Sequence, residues 1–253
     1  MAQPTAEYTA TAAVCDVAAA FGSAFCVAPF IAMVDQAIVQ NASGTASLRT
    51  SMEKSMRMLL TTPRQFLGRP AFLMLWGVYG GTYVAVNTIT SVSDAKKATT
   101  QQRAKAKFAV VSAVNLSLNI SKDKIFARMF GQGMPRAVPL RTIGCFALRD
   151  SMTVFATFNL APMLGESGLV DPTAAALVCP IAMQWLSAPT HLLGLDLYNR
   201  PAQAFGARAA FIQSEYLVTA LARTARIFPA FSICPQLNNP LRRHLRDLAG
   251  CEV

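Results

Sequence analysis

The sequence predicts an all-α membrane protein with six transmembrane helices in three pairs and short surface helices between them. Three observations carry that expectation. Of 253 residues, 53% are hydrophobic and only 14% charged, with a mean hydropathy of +0.35, whereas soluble domains carry about 25% charged residues. Such a chain cannot coat a water-facing surface, and it is too apolar to be disordered. Secondly, long runs lack charge: 18 residues between Asp16 and Asp35, 24 between Arg69 and Asp94, and 24 between Asp171 and Asp196, broken only by His191. About 20 apolar residues suffice to cross a bilayer. Thirdly, three further apolar runs interleave with these, and each carries charge.

In chain order, the first uncharged run is followed by a long, polar, basic connection from Asn41 to Arg69. Within it Thr50-Ser51-Met52-Glu53 reads as a capping box. Leu48, Met52, Met56, Leu59 and Leu60 recur at helical spacing with Arg49, Lys54 and Arg57 between them. That is an amphipathic helix for a membrane surface, stopped by Pro63; the same pattern also suits a helix packed on a partner. The second run begins after Arg69, and Ser93 to Lys107 then reads as a basic linker. Phe108 to Phe130 begins apolar and ends in Lys122, Asp123, Lys124 and Arg128. Pro139 to Leu164 carries Arg149-Asp150 in its middle. A short acidic connection, Met163 to Asp171, leads to the third uncharged run. Ala209 to Ile233 closes the set with Glu215, Arg223 and Arg226. Charges at membrane depth face a bundle interior or a wet cavity, so these six are read as helices with inward charge. The chain is one domain over 1–253, with pseudo-repeats at about 9–92, 104–164 and 172–235.

The net charge of +10 lies in short patches between apolar runs, which suits anionic lipid head groups and not nucleic acid. The six cysteines (Cys15, Cys26, Cys145, Cys179, Cys234, Cys251) are scattered, and with only His191 and His244 to assist, no metal site is expected. They read as small buried hydrophobes. No Gly-rich phosphate loop, Cys–His pairing or Gly-x-Ser-x-Gly elbow is present, so an enzyme is not expected. The N-terminus lacks a basic n-region and is not an Arg-rich transit sequence. No removed leader is expected, and both tails are expected to be held in place.

A threefold pattern emerges when the odd and even runs are superposed. The odd runs end in Met33-Val34-Asp35-Gln36-Ala37-Ile38, Ser121-Lys122-Asp123-Lys124-Ile125-Phe126 and Pro189-Thr190-His191-Leu192-Leu193-Gly194. The even runs hold Val78-Tyr79-Gly80-Gly81, Arg149-Asp150-Ser151-Met152 and Arg226-Ile227-Phe228-Pro229. Paired helices in triplicate, with these elements closing the odd members, resemble the mitochondrial carrier family, and the expected fold is a carrier-like six-helix bundle. Arg149-Asp150-x-Met152 resembles that family's fourth-helix pattern and Arg226-x-x-Pro229 its sixth. Phe66-Leu67-Gly68-Arg69 resembles the element that helps hold cardiolipin, so Phe66, Gly68 and Arg69 are candidate lipid-binding residues.

The resemblance places Asp35, Asp123 and His191 at the acidic gate positions, but the matching basic positions hold Ile38, Phe126 and Gly194. A closed salt-bridge ring is therefore not expected; Lys122, Lys124 or water should satisfy the aspartates. Gly81, Met152 and Pro229 are expected to share a second level. The function so implied is a non-transporting accessory or structural subunit of a mitochondrial inner-membrane complex, such as a respiratory complex, supercomplex or ATP synthase. Other membrane subunits and anionic lipids would be its partners, bound cardiolipin its companion, and no cofactor or nucleic acid is called for. The alternative is an active solute carrier for an amino acid or related carboxylate. Arg149, Asp150 and Arg226 would then line its cavity, since a guanidinium binds a carboxylate bidentately and Asp150 takes an ammonium.

Overall fold

The computed structural model describes residues 8–251, apart from the side chains of 231 and 232. The expectation about the two tails falls on residues outside that range. Among the described residues there are helices and turns and no strand.

Helix α1 (Ala10–Ser43) starts where Thr9 accepts the Ala12 N–H at 3.2 Å and ends at Gly44 with φ +75°. Only glycine takes that left-handed closing position without penalty. α1 overruns the uncharged run at both ends and so draws Asp16 and Asp35 into its length. The surface segment is α2 (Leu48–Thr61) and α3 (Pro63–Leu67). Ser47 caps α2 through the Thr50 N–H, so the helix starts three residues earlier than a Thr50 capping box would start it. Serine at 47 wins because the chain is still extended there (ψ 154°).

α4 (Pro70–Ala95) opens with proline at its first position. The expected 93–107 linker is instead a tight turn, because Thr99 and Gln102 form a reciprocal capping box that starts α5 (Thr100–Phe130). α6 (Leu140–Phe155) passes through a π-helical stretch, Ala156–Leu160, into α7 (Ala161–Glu166). Asp171 then caps α8 (Pro172–Asn199), which contains Pro180 and Pro189. α9 (Phe205–Phe228) runs through a second π stretch, Pro229–Ile233, into α10 (Cys234–Leu248). Counting helices joined through π stretches as one, the described residues form six long rods.

The rods pack in chain order: α1 on α4, α4 on α5, α5 on α6, α6 and α7 on α8, α8 on α9, and α9 and α10 back on α1. The result is a ring. α1 carries a row of fully buried alanines (Ala20, Ala24, Ala28) that lets neighbours approach closely. At one end the rods converge on a core containing Ile31, Ile38, Phe126, Phe146, Leu192 and Leu195. Outside, Val14, Leu148, Leu186, Leu217 and Leu221 are each more than half exposed. Such an apolar outer belt fits hydrocarbon and is out of place in water. The protein is a membrane protein. α1 and α4 are long and apolar enough to cross a bilayer on their own; the other rods carry polar and charged groups on the faces they turn inward.

Candidate functional site

Near the convergent end, α1, α5, α6 and α9 contribute charged side chains and α8 contributes His191 to one buried cluster. Lys122 Nζ donates to Asp35 Oδ2 at 2.7 Å and lies 2.9 Å from Asp123 Oδ1. Arg149, fully buried, donates through Nη2 to Asp123 at 2.5 Å and to Asp150 at 2.6 Å. Its Nη1 lies 2.7 Å from His191 Nδ1. A guanidinium can only donate, so His191 accepts at Nδ1 and carries its proton on Nε2. Arg226 Nη1 completes the chain of pairs on Asp35 at 2.8 and 3.1 Å.

Asp35, Asp123 and His191 are thus brought together. No closed three-pair ring forms among the described residues: the pairs run as an open chain, Arg226–Asp35–Lys122–Asp123–Arg149–Asp150, in which Lys122 serves both aspartates. The cations come from Lys122, beside Asp123 on α5, and from Arg149 and Arg226 on the neighbouring rods. The empty basic positions have a physical reason: a Cβ on Gly194 would lie 2.8 Å from the Phe146 ring, and Ile38 and Phe126 belong to the apolar core. Lys124 takes no part. Arg223, read in the sequence as an inward charge but not as a site residue, is buried as well and donates to Gln184 Oε1 (2.7 Å) and Ser187 Oγ (3.0 Å), both neutral. A signal was available, since Arg223 precedes Arg226 by one helical turn.

Beyond this cluster the core is sealed again by polar contacts. Asn41 donates to Glu215, and Ser43 Oγ to the Phe130 carbonyl at 2.8 Å. Asp196, fully buried, pairs with Arg200 (2.8 Å) and Arg208 (2.7 Å). Charge cluster, apolar core and polar cap together make a closed floor.

On the other side of the charge cluster the ring encloses a cavity of about 320 Å³. Asp150 and Arg226 lie at its floor, Tyr79, Thr82 and Tyr83 come from α4, and Lys107, Ser112, Asn115 and Asn119 from α5. Thr153 and Thr157 face it from the α6 side and Asn239 from α10. Both π stretches border it through Thr157, Phe158 and Ala230; such stretches are found mostly at functional positions. Asp150 Oδ2, Arg226 Nε and Ser112 Oγ are buried with no partner. Of the three residues the sequence offered for a cavity, Asp150 and Arg226 line it, while Arg149 lies behind them in the floor.

A second charge cluster joins the first rod to the last. Asp16, fully buried, accepts from Arg242 (2.7 Å), Arg246 (2.9 and 3.1 Å) and Ser91 (2.5 Å). Asn87 and Asn238 exchange amide hydrogen bonds beside it at 3.0 and 2.8 Å. It lies about 28 Å along α1 from Asp35, by the helical rise.

The remaining candidates lie apart. Phe66 is buried against Phe72 in a side cluster. Gly68 ends α3, and Arg69 precedes α4 with Nη1 3.7 Å from Met58 Sδ. Gly81, Met152 and Pro229 occupy three different settings: Gly81 faces Leu118, Met152 packs on the Ala156–Cys179 cluster, and Pro229 begins a π stretch. Of the cysteines, Cys15, Cys179 and Cys234 are buried, Cys26 is exposed, and none of the six is paired. No group of metal-ligating side chains occurs among the described residues.

Residues 18–246 match the family model described as a probable citrulline exporter, and the mitochondrial carrier family is not matched. No curated protein and no solved structure matches the chain. The carrier assignment is corrected accordingly. It rested on charged residues near helix ends and on paired spans, features that any ring of inward-charged helices shares, while only Pro189 of the expected prolines was present. The non-transporting accessory subunit falls with it, because the matched family is one of probable exporters, and the mitochondrial and respiratory-chain placements, which rested on the carrier resemblance, lose their support. It is a transporter family and not an enzyme family. With nearly the whole length matched, this chain belongs to the probable citrulline exporter family.

Proposed function

We propose that the protein crosses the membrane six times and exports a neutral polar α-amino acid of the citrulline type through the ring. The carrying observation is the cavity floor, where an acid and a cation, Asp150 and Arg226, each keep a buried hydrogen-bonding atom unused. Buried polar atoms in a folded protein are otherwise paired, so such atoms mark places kept for a ligand or water. A zwitterion supplies the complements. Its ammonium donates to Asp150 Oδ2, and its carboxylate accepts from Arg226.

The remaining walls suit an uncharged polar side chain. Ser112, Asn115, Asn119 and Thr82 offer both donors and acceptors, as a ureido group requires. A volume of about 320 Å³ is at the small end of ligand pockets and fits one amino acid. Six rods supply the spans: even the shortest uninterrupted one, α4 with 26 residues, reaches about 39 Å at 1.5 Å per residue, longer than the hydrocarbon core of about 30 Å.

The test is efflux of labelled citrulline from liposomes containing purified protein. Asp150→Asn and Arg226→Gln should each slow it by roughly 10- to 100-fold, the loss of one charge-assisted hydrogen bond. Wild-type efflux no faster than from empty liposomes, or an Asp150→Asn rate within about twofold of wild type, would refute the proposal.

A further inference from the structure

α5 presents one face to the cavity along its length: Lys107, Val111, Asn115 and Asn119 at four-residue spacing. Phe108 meets the Phe158 ring at 5.5 Å, which sets Lys107 beside the upper part of the cavity, about 18 Å along α5 from Asn119 at the deep end of this row. Lys107 forms no ion pair or hydrogen bond with a described residue. Its cationic neighbours are committed elsewhere, Arg103 to Asp94 at 2.5 Å and Arg242 to Asp16 at 2.7 Å. Among the described residues lining the cavity, Asp150 is the sole acid.

From this arrangement we infer that Lys107 is a specificity-determining residue that excludes amino acids with cationic side chains. The inference rests on the cavity being an amino-acid site with Asp150 and Arg226 at the head group. The side chain of a bound amino acid then runs toward Ser112 and Lys107. A chain of citrulline's length extends about 7–8 Å beyond its Cα by standard bond lengths, which brings its end within reach of the lysine ammonium. A ureido group there hydrogen-bonds to Ser112 Oγ and the α5 amides. A guanidinium or ammonium of nearly the same length meets a like charge in a low-dielectric space and finds no second carboxylate. The discrimination is by repulsion, which separates isosteres that attraction alone would not. Neutral and acidic side chains stay admissible, so the filter acts on sign and not on size.

Thermal stabilisation of the purified full-length protein by citrulline, arginine and ornithine measures the filter directly, with competition against labelled citrulline uptake as a second readout. Wild type should respond to citrulline and not to arginine or ornithine at equal concentration. Lys107→Glu should shift the arginine-to-citrulline affinity ratio at least tenfold toward arginine. Lys107→Gln should shift it the same way by less, and serves if the glutamate variant fails to fold. Lys105→Glu makes the same change in net charge at an exposed position on α5 outside the cavity lining, and should leave the ratio at the wild-type value. Equal wild-type responses to citrulline and arginine, or an unmoved ratio in both Lys107 variants, would overturn the assignment while leaving the amino-acid site intact. Wild-type protein that responds to none of the three overturns the site as well.

Discussion

Replacing Arg149 by methionine should destabilise the protein by about 3–5 kcal/mol, the range for removing one partner from a buried ion pair. The magnitude follows from the contacts. Arg149 donates to Asp123 at 2.5 Å, to Asp150 at 2.6 and 2.9 Å, and to His191 at 2.7 Å. Charge-assisted hydrogen bonds are worth about 1.5–3 kcal/mol each, but the full sum is not lost. Asp123 retains Lys122 at 2.9 Å, and Asp150 still borders the cavity, where water can reach it. Methionine keeps most of the aliphatic length, so repacking against Phe146 contributes little. At about 2–4 °C per kcal/mol for a chain of this size, Tm should fall by about 6–20 °C. The measurement is a thermal-unfolding series in detergent on Arg149→Met, Asp123→Asn and the double variant. Each single change takes one partner from the other's charge, so the double variant should be at least 1 kcal/mol or so more stable than the sum of the singles implies. A fall of less than about 2 °C, or additive losses, would show that the cluster does not act as a unit.

Two other substitutions probe how the rods are held together. Asp16→Asn leaves Arg242 and Arg246 without their shared carboxylate and should cost about 3–5 kcal/mol, seen as faster proteolysis within α10; unchanged cleavage would mean that other contacts dock this helix. Gly194→Ala forces a Cβ to within 2.8 Å of the buried Phe146 ring and should cost about 1–3 kcal/mol. Gly206→Ala, with open space around it, should be neutral or stabilising by up to about 1 kcal/mol, and a loss there equal to that at Gly194 would argue against close α6–α8 packing.

The helices were legible because hydrophobic runs and charge positions survive any rearrangement of partners. Runs bounded by Asp16, Arg69 and Asp171 located α1, α4 and α8, and the charged runs located the rest. Boundaries were less legible. The segment from Ser93 to Lys107 looked like a linker because most of its charges are solvent-facing at the turn and the adjoining helix ends, and polarity alone does not separate a solvated helix end from a loop. The two π stretches left no mark that a 3.6-residue period could show. Asp150 and Arg226 were readable as cavity residues because charge inside a span must face something polar. Lys107 was not, since it sits two turns inside a basic helix start and looks like its solvated neighbours Arg103 and Lys105. The pairing of the floor was hidden for another reason: partners such as Asp35 and Arg226 are 191 positions apart, so only the closing of the ring brings them together.

The cavity and the floor share two residues, and this has a consequence for how an exporter would open. Asp150 faces the cavity through Oδ2 while its Oδ1 accepts from Arg149; Arg226 lines the cavity while its Nη1 holds Asp35. Opening an empty floor separates Arg226 from Asp35 and Arg149 from its carboxylates, and each separation leaves charge in a low-dielectric interior. If the cavity takes a zwitterion as proposed, its carboxylate offers Arg226 a replacement for Asp35, and its ammonium neutralises Asp150 as Arg149 withdraws. In the closed floor Asp35 and Asp123 also share Lys122. A ligand shifts a conformational equilibrium only by its difference in affinity for the two states. That difference arises here because the head group meets partners that are half engaged in the closed floor and fully available once it parts. A hydrophobic ligand of equal size would fill the same volume without exchanging an ion pair, and so would bind without opening the floor.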